Sequence, residues 1–238
     1  MLYLIGLGLN KEGFSYEAIN AIKNCRKIYL ENYTVEFPYT KDDIQELIQK
    51  KILEADRSFV ESDNLIKEAK EQNVALLIYG APLMATTHIS LIELAKKSGI
   101  STRIIHSASV LDAVAETGLQ TYKFGKITSM PKFQKNFEPT SFIEVLKQNQ
   151  SIEAHSLILV DIGLNLKDAL NQLKKSCKKE NFKLDKIVLC ERLGMKDFKI
   201  YYGTIEKLNK KQIKAPFCII MPSKLHFLEK EILERFSI

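Results

Sequence analysis

No apolar stretch in the chain is long enough to cross a bilayer. The longest, VALLIY and SLILV, fall far short of the ~20 residues a membrane helix needs. A basic leader with a small-residue cleavage site is also missing, because MLYLIGLGLN already reads as a strand, so no secretory signal is expected. None of the four cysteines (Cys25, Cys177, Cys190, Cys218) belongs to a CxxC pair. That removes the usual zinc and dithiol motifs and favours a reduced, cytoplasmic protein whose thiols only pack. The histidines His88, His106, His155 and His226 lack metal-ligand spacing, so no metal is expected. There is no HExxH, no Ser/His/Asp set and no nucleophile elbow, and hydrolysis by those routes has no visible machinery.

What is present suits a globular enzyme. A chain of 238 residues, 45% hydrophobic and 27% charged, can bury a full core and is too apolar for disorder. Its 35 basic and 29 acidic residues leave a net charge of +6. The excess is spread over helix-like segments such as LKKSCKKE and KLNKKQIK, where a solvated face accounts for it. Neither nucleic acid nor a membrane surface is expected as a partner. Asn149-Gln150-Ser151 fits a glycosylation sequon but means little in a chain that is not secreted.

The first half alternates strand and helix: MLYLIGLGL, SYEAINAIKNCRK, KIYLENYT, TKDDIQELIQKK, SDNLIKEAKEQ, VALLIYG, HISLIELAKKSG, ISTRIIHS. Continuous apolar strands separated by helices predict a parallel sheet covered on both faces. After Gly118 the texture changes to the irregular TYKFGKITSMPKFQKNFEPTS. Then follow SFIEVLKQN, HSLILVDIG, KDALNQLKKSCKKE, KIVLCERLG, KIYYGTIEKL, APFCIIMPS and LHFLEKEILERF. KIVLCERLG and KIYYGTIEKL, joined only by Met195-Lys196-Asp197-Phe198, predict a hairpin and hence a mixed sheet. The expected architecture is two α/β domains, 1–118 and 119–238, the second including a linker of about 119–140.

Three stretches offer chemistry. In GLGLNK (residues 6–11), Gly6 and Gly8 follow a strand and Glu31 closes the next one, which invites a dinucleotide-fold reading. Lys11 replaces the third glycine, so a glycine ledge that lets some ligand approach the backbone is the better reading. In YGAPLMATTH (residues 79–88), Gly80-Ala81-Pro82 ends a strand stiffly, and Thr86 or Thr87 can cap the next helix. An ordinary βα loop would look the same. In HSASVLDAVAETGLQTYKFGK (residues 106–126), Ser109 can cap a further helix start. His106 is the one candidate base, although a lone histidine is usually structural. Glycines and helix starts without a nucleophile suit a transferase whose cosubstrate brings its own reactivity.

Taken in order, MLYLIGLGL, KIYLENYT, YGAPLMATTH, HSASVLDAVAETGLQTYKFGK and MPSKLHFLE resemble the diphthine synthase family. That family is a branch of the tetrapyrrole-methylase-like methyltransferases that use S-adenosylmethionine and release S-adenosylhomocysteine. The resemblance spans nearly the whole chain. It implies two α/β domains with the cofactor in the interdomain cleft, and a homodimer. It also implies repeated methylation of the 3-amino-3-carboxypropyl-histidine of elongation factor 2, to trimethyl diphthine or its methyl ester. By the same resemblance the cofactor contacts are Leu9, Ala81, Met84, Ser109, Val110, Ile162, Tyr202 and His226, and the catalytic residues are unknown. The family carries Gly-Asp-Pro where this chain has Gly80-Ala81-Pro82. Losing the hydrogen bond of that carboxylate to the cofactor ammonium costs ~1.5–3 kcal/mol. Two alternatives follow: a related methyltransferase with another substrate, or a catalytically weakened binding protein. The lysine- and aromatic-rich Tyr122–Phe137 is the expected docking face for the factor, with a plain linker as the other reading.

Overall fold

A computed structural model describes residues 1–238, which form two compact units, Met1–Val110 and Leu111–Ile238. The first holds a fully parallel sheet of order β3-β2-β4-β1-β5, built from β1 (Leu2–Gly6), β2 (Lys27–Glu31), β3 (Leu53–Ala55), β4 (Val74–Ile78) and β5 (Thr102–Ile105). Its helices are α1 (Tyr16–Lys23), α2 (Lys41–Ile48), α3 (Arg57–Val60), α4 (Asn64–Glu71) and α5 (Ile89–Lys97). All five residues of β4 are buried because both faces of the sheet are covered. On one face Leu2, Leu4, Leu76 and Ile78 pack with Leu65, Ile66 and Ala69 of α4 and Leu91 and Ala95 of α5. Each buried leucine or isoleucine contributes ~1.5–3 kcal/mol. Ser15 starts α1 by accepting from Ala18 N–H, and Thr40 and Asp43 form a capping box on α2.

The second unit holds a mixed sheet of order β6-β7-β10-β8-β9. It opens with α6 (Val110–Ala113), which starts at the unit boundary, and β6 (Thr128–Met130). Next come α7 (Ser141–Ser151), β7 (Ser156–Val160), α8 (Leu166–Lys179) and β8 (Ile187–Glu191). The chain ends through β9 (Lys199–Gly203), α9 (Ile205–Leu208), β10 (Phe217–Met221) and α10 (Phe227–Glu234). Only β6 and β7 pair in parallel, and β8–β9 is the expected hairpin. In α8, Leu166, Ala169, Leu170, Leu173 and Cys177 recur at helical spacing and bury one stripe against Phe142, Ile143 and Leu146 of α7.

Several details depart from the sequence reading. β3, α3 and β6 went unread because they are three or four residues long, too short for a periodic signal. KIYYGTIEKL is not all strand: Thr204 leaves the sheet and α9 begins at Ile205. The texture change lies at Gly118, yet the stretch after Val110 already packs with the end of the chain. A Cβ on Gly118 (φ +81°) would stand 2.3 Å from Ile232 Cγ2. Asn149 of the sequon is buried, its side chain bonded to Lys126 N and O and to Ser156 Oγ.

Candidate functional site

Open parallel sheets bind ligands beyond the carboxyl ends of their strands. Here β1 lies between β4 and β5, and past the strand ends the chain adds a short antiparallel bridge. Gly8 N–H donates to Gly80 O (3.2 Å) and Gly80 N–H to Gly8 O (3.0 Å). Leu9 continues one arm and Ala81 the other, while the Tyr79 hydroxyl donates to Leu9 O (3.2 Å). Ser109 closes the group from the β5 side, since a Cβ on Gly80 would stand 3.8 Å from Ser109 Cα. Leu9 and Ser109 are buried, Ala81 and Val110 half-buried, and Met84 exposed. The structure therefore gathers five of the eight expected contacts on one rim of the first unit.

The glycines do not form the ledge expected of them. A Cβ on Gly6 would meet Gly80 O at 2.6 Å and Pro82 Cδ at 3.0 Å; one on Gly8 would meet Ser107 Oγ at 2.9 Å and Gly13 O at 3.2 Å. The chain's own segments fill that space, so these two glycines let β1, the Gly80 turn and the Ser107 turn approach one another. Beside Gly80, by contrast, nothing stands closer than 3.8 Å. The dinucleotide reading fails too, since GLGLNK leads into a turn, α1 waits until Tyr16, and Lys11 pairs with Asp43 (2.9 Å).

The loop from Ala81 to His88 is fixed from below. Neither threonine caps α5: His88 occupies the cap position and its ring turns inward. Its Nδ1 donates to Pro82 O (3.1 Å), and its Nε2 lies 2.9 Å from Glu31 Oε2. The second contact is close but off-axis, and Glu31 Oε2 has no aligned hydrogen-bond partner. Thr34 Oγ1 donates to the other Glu31 oxygen, and the Tyr33 hydroxyl stands 3.4 Å from His88 Nε2. Glu31 is thus spent inside the protein, away from any ribose.

In the second unit His226 is the N-cap of α10 and is exposed. Glu229, buried beneath it, accepts four bonds: His226 N–H (2.7 Å), Gln120 N–H (2.9 Å), Lys123 Nζ (2.6 Å) and His155 Nε2–H (3.1 Å). Burial alone would raise its carboxyl, but those four donors hold it down at about 2. Burial lowers the His155 imidazole, opposed by its bond to Glu229. Its Nδ1 accepts from Ser223 N–H (3.0 Å), which puts the ring proton on Nε2.

Of the three expected contacts in the second unit, Ile162 stands apart from His226. Tyr202 is buried on β9, bonded through its backbone to Phe236 and Ile238, with Lys186 Nζ 4.9 Å from its ring centroid. The antiparallel register puts Tyr202 and the chain leading to His226 at one end of the sheet. Ile162 follows β7 at the other end, a five-residue strand or ~16 Å away. His106 is exposed at the end of β5.

Sequence reasoning missed His88 and His155 as partners and misread Glu31; Glu229 went unread. The usable signals were an acid closing the apolar run KIYLE and a glutamate three residues after His226, the capping-box spacing.

The family described as Tetrapyrrole (Corrin/Porphyrin) Methylases matches residues 1–209. The Methanocaldococcus jannaschii diphthine synthase is 38% identical, with 98% of each chain covered. The Schizosaccharomyces pombe diphthine methyl ester synthase is 32% identical over 100% of this chain and 95% of its own. A crystal structure of diphthine synthase superposes with a TM-score of 0.90 at 31% identity, covering 99% of this chain and 95% of the other. The chain belongs to the tetrapyrrole methylase family and is a methyltransferase. Within that family, relatives that it matches along nearly its whole length include diphthine synthases and diphthine methyl ester synthases.

Proposed function

We propose that the chain is the methyltransferase that repeatedly methylates the 3-amino-3-carboxypropyl-histidine of elongation factor 2, in diphthamide biosynthesis. S-adenosylmethionine is its methyl donor, S-adenosylhomocysteine its product, and the cytoplasm its place of work, as a homodimer. The observation that carries this reading is the convergence of Leu9, Ala81, Met84, Ser109 and Val110 on one sheet rim, in a chain whose likeness to diphthine synthases runs end to end. The rim fits the donor: apolar Leu9, Val110 and Met84 beside the Ser109 hydroxyl suit an amphipathic nucleoside. His226, Tyr202 and Ile162 are further proposed contacts; since Ile162 and His226 lie at opposite ends of their sheet, they would meet different parts of the ligand.

The donor, when bound, supplies an electrophilic sulfonium methyl group. The protein's part is orientation and exclusion of water. The acceptor amine must be neutral, and its proton can leave to water or to the substrate's own carboxylate, so no protein base is required. Tyr122 and Phe137, 81% and 54% exposed, support the 122–137 segment as the docking face for the factor.

The test is incubation with isotope-labelled S-adenosylmethionine and elongation factor 2 carrying the unmethylated precursor, followed by intact-mass analysis. Successive methyl additions are expected, and the final mass distinguishes the trimethyl product from its ester. Tight cofactor binding without any mass gain would support instead the binding-protein reading, which Ala81 alone favours.

A further inference from the structure

We propose that His88, backed by Glu31, is a positioning residue that sets the place of the Ala81–Met84 loop through the Pro82 carbonyl. The proposal rests on the reading of Ala81 and Met84 as cofactor contacts.

Three observations meet at this loop. Pro82 is gripped on two sides: its ring packs where a Cβ on Gly6 would stand 3.0 Å from Cδ, and its carbonyl accepts from His88 Nδ1 (3.1 Å) and Thr86 Oγ1 (3.3 Å). The loop between holds a backbone that resists spontaneous order, with Ala85 at φ +55°, a left-handed conformation alanine rarely adopts. The pair beneath is costly to bury: Glu31 and His88 are 0% and 1% exposed, and such groups persist when they are paired and bonded. A carbonyl only accepts, so His88 Nδ1 carries a proton, and the 2.9 Å approach of Nε2 to Glu31 orients the ring for that bond. Thr34 and Tyr33 hold the far side of the pair. The chain of contacts runs from the end of β2, through His88, to the loop that carries Ala81 and Met84.

The two ring nitrogens separate the roles. In His88→Asn the amide nitrogen takes the place of Nδ1 and reaches Pro82 O; in His88→Gln it takes the place of Nε2 and reaches Glu31, leaving Pro82 O with the Thr86 bond alone. Thr86→Val removes the second bond to Pro82, together with the long bond from His88 N–H (3.4 Å), and leaves the side-chain contact of His88 with Glu31 in place. The readouts are amide hydrogen exchange over residues 83–88 in the ligand-free protein, S-adenosylhomocysteine affinity by calorimetry, and thermal unfolding. His88→Gln is expected to speed exchange and to weaken affinity about tenfold, the weight of one buried hydrogen bond. His88→Asn is expected to stay near wild type in both while losing thermal stability, because buried Glu31 is left without its partner, and Thr86→Val to fall between in exchange and affinity. Equal exchange in the Asn and Gln variants, or losses that only follow thermal stability, would overturn the proposal. If exchange follows the expected order but wild type binds no S-adenosylhomocysteine, the clamp stands and the functional reading falls. If wild type binds it and the loop exchanges alike in all variants, the clamp alone falls.

Discussion

Glu229→Gln is the substitution whose cost the structure defines best. Glu229 Oε1 accepts from Gln120 N–H and His155 Nε2–H, and Oε2 from Lys123 Nζ and His226 N–H. Glutamine keeps one oxygen, so its amide group would face two donors with a donor. His155 cannot relieve this by changing tautomer, because its Nδ1 already accepts from Ser223 N–H. Two orphaned donors at ~1–3 kcal/mol each give a range of ~2–6 kcal/mol. Lys123 is 24% exposed and can turn to water, so ~3 kcal/mol is the expected loss. For a chain of this size that lowers Tm by ~6–12 °C. The pH dependence sharpens the test. The Glu229 carboxyl falls from an ordinary 4.5 to about 2 on folding, so its stabilisation is complete above about 4.5 and lost as the pH drops toward 2. The glutamine variant lacks that titration, and its melting curve should converge on wild type across this window. Circular dichroism melts between pH 2 and 8 read both effects. A gap in Tm that stays constant with pH, or no gap at all, would refute the reasoning.

Ala81→Asp should tighten S-adenosylhomocysteine binding by roughly ten- to a hundredfold in calorimetry, through one charge-assisted bond to the ligand ammonium; unchanged affinity would dispose of that account. Gly118→Ala should destabilise by ~2–4 kcal/mol, from a left-handed backbone at φ +81° and overlap with Ile232. Adding Ile232→Ala should remove the overlap and keep the backbone cost, and full rescue in denaturant titration would show that the backbone term is absent. Gly125→Ala places a Cβ 2.2 Å from Asn149 Oδ1 and should cost ~2 kcal/mol by breaking the amide's bonds to Lys126 and Ser156. A chemical-denaturation midpoint equal to wild type would count against it.

The first sheet was legible because its strands are apolar on both faces and its helices are amphipathic over two or more turns. VALLI is a short apolar run closed by Gly80 and Pro82, the length of a buried strand, and Ala18, Ala21 and Ile22 recur at the spacing of one helical face. β3 and β6 were not legible, since each gains its identity from a neighbour, β2 or β7, and not from a pattern of its own. The rim residues of the first unit were legible through resemblance and position at strand ends. Their supports were not. The partnership of Glu31 with His88, or of Glu229 with His155, spans 57 and 74 residues of chain, and no local spacing reports it. The thiols were read correctly as packing groups: all four cysteines are free and buried.

The place of Ala81 follows from the same supports. Its loop is anchored by backbone and by neighbours: Gly80 bridges to Gly8, Ala81 O accepts from Met84 N–H (3.2 Å), and Pro82 O is held by His88 and Thr86. None of those bonds uses the side chain at position 81. On the proposed reading of the site, an alanine there removes a group facing the ligand without removing any of the loop's anchoring bonds. Aspartate, conversely, would add no anchor to the fold, and its charge on a half-buried rim would be unpaired until an ammonium arrived. The substitution therefore separates binding from folding. Ala81→Asp should alter cofactor affinity while leaving Tm of the ligand-free protein within ~2 °C of wild type, less than 1 kcal/mol at this chain length. A large drop in Tm without any gain in affinity would show that position 81 serves the loop's packing instead of the ligand.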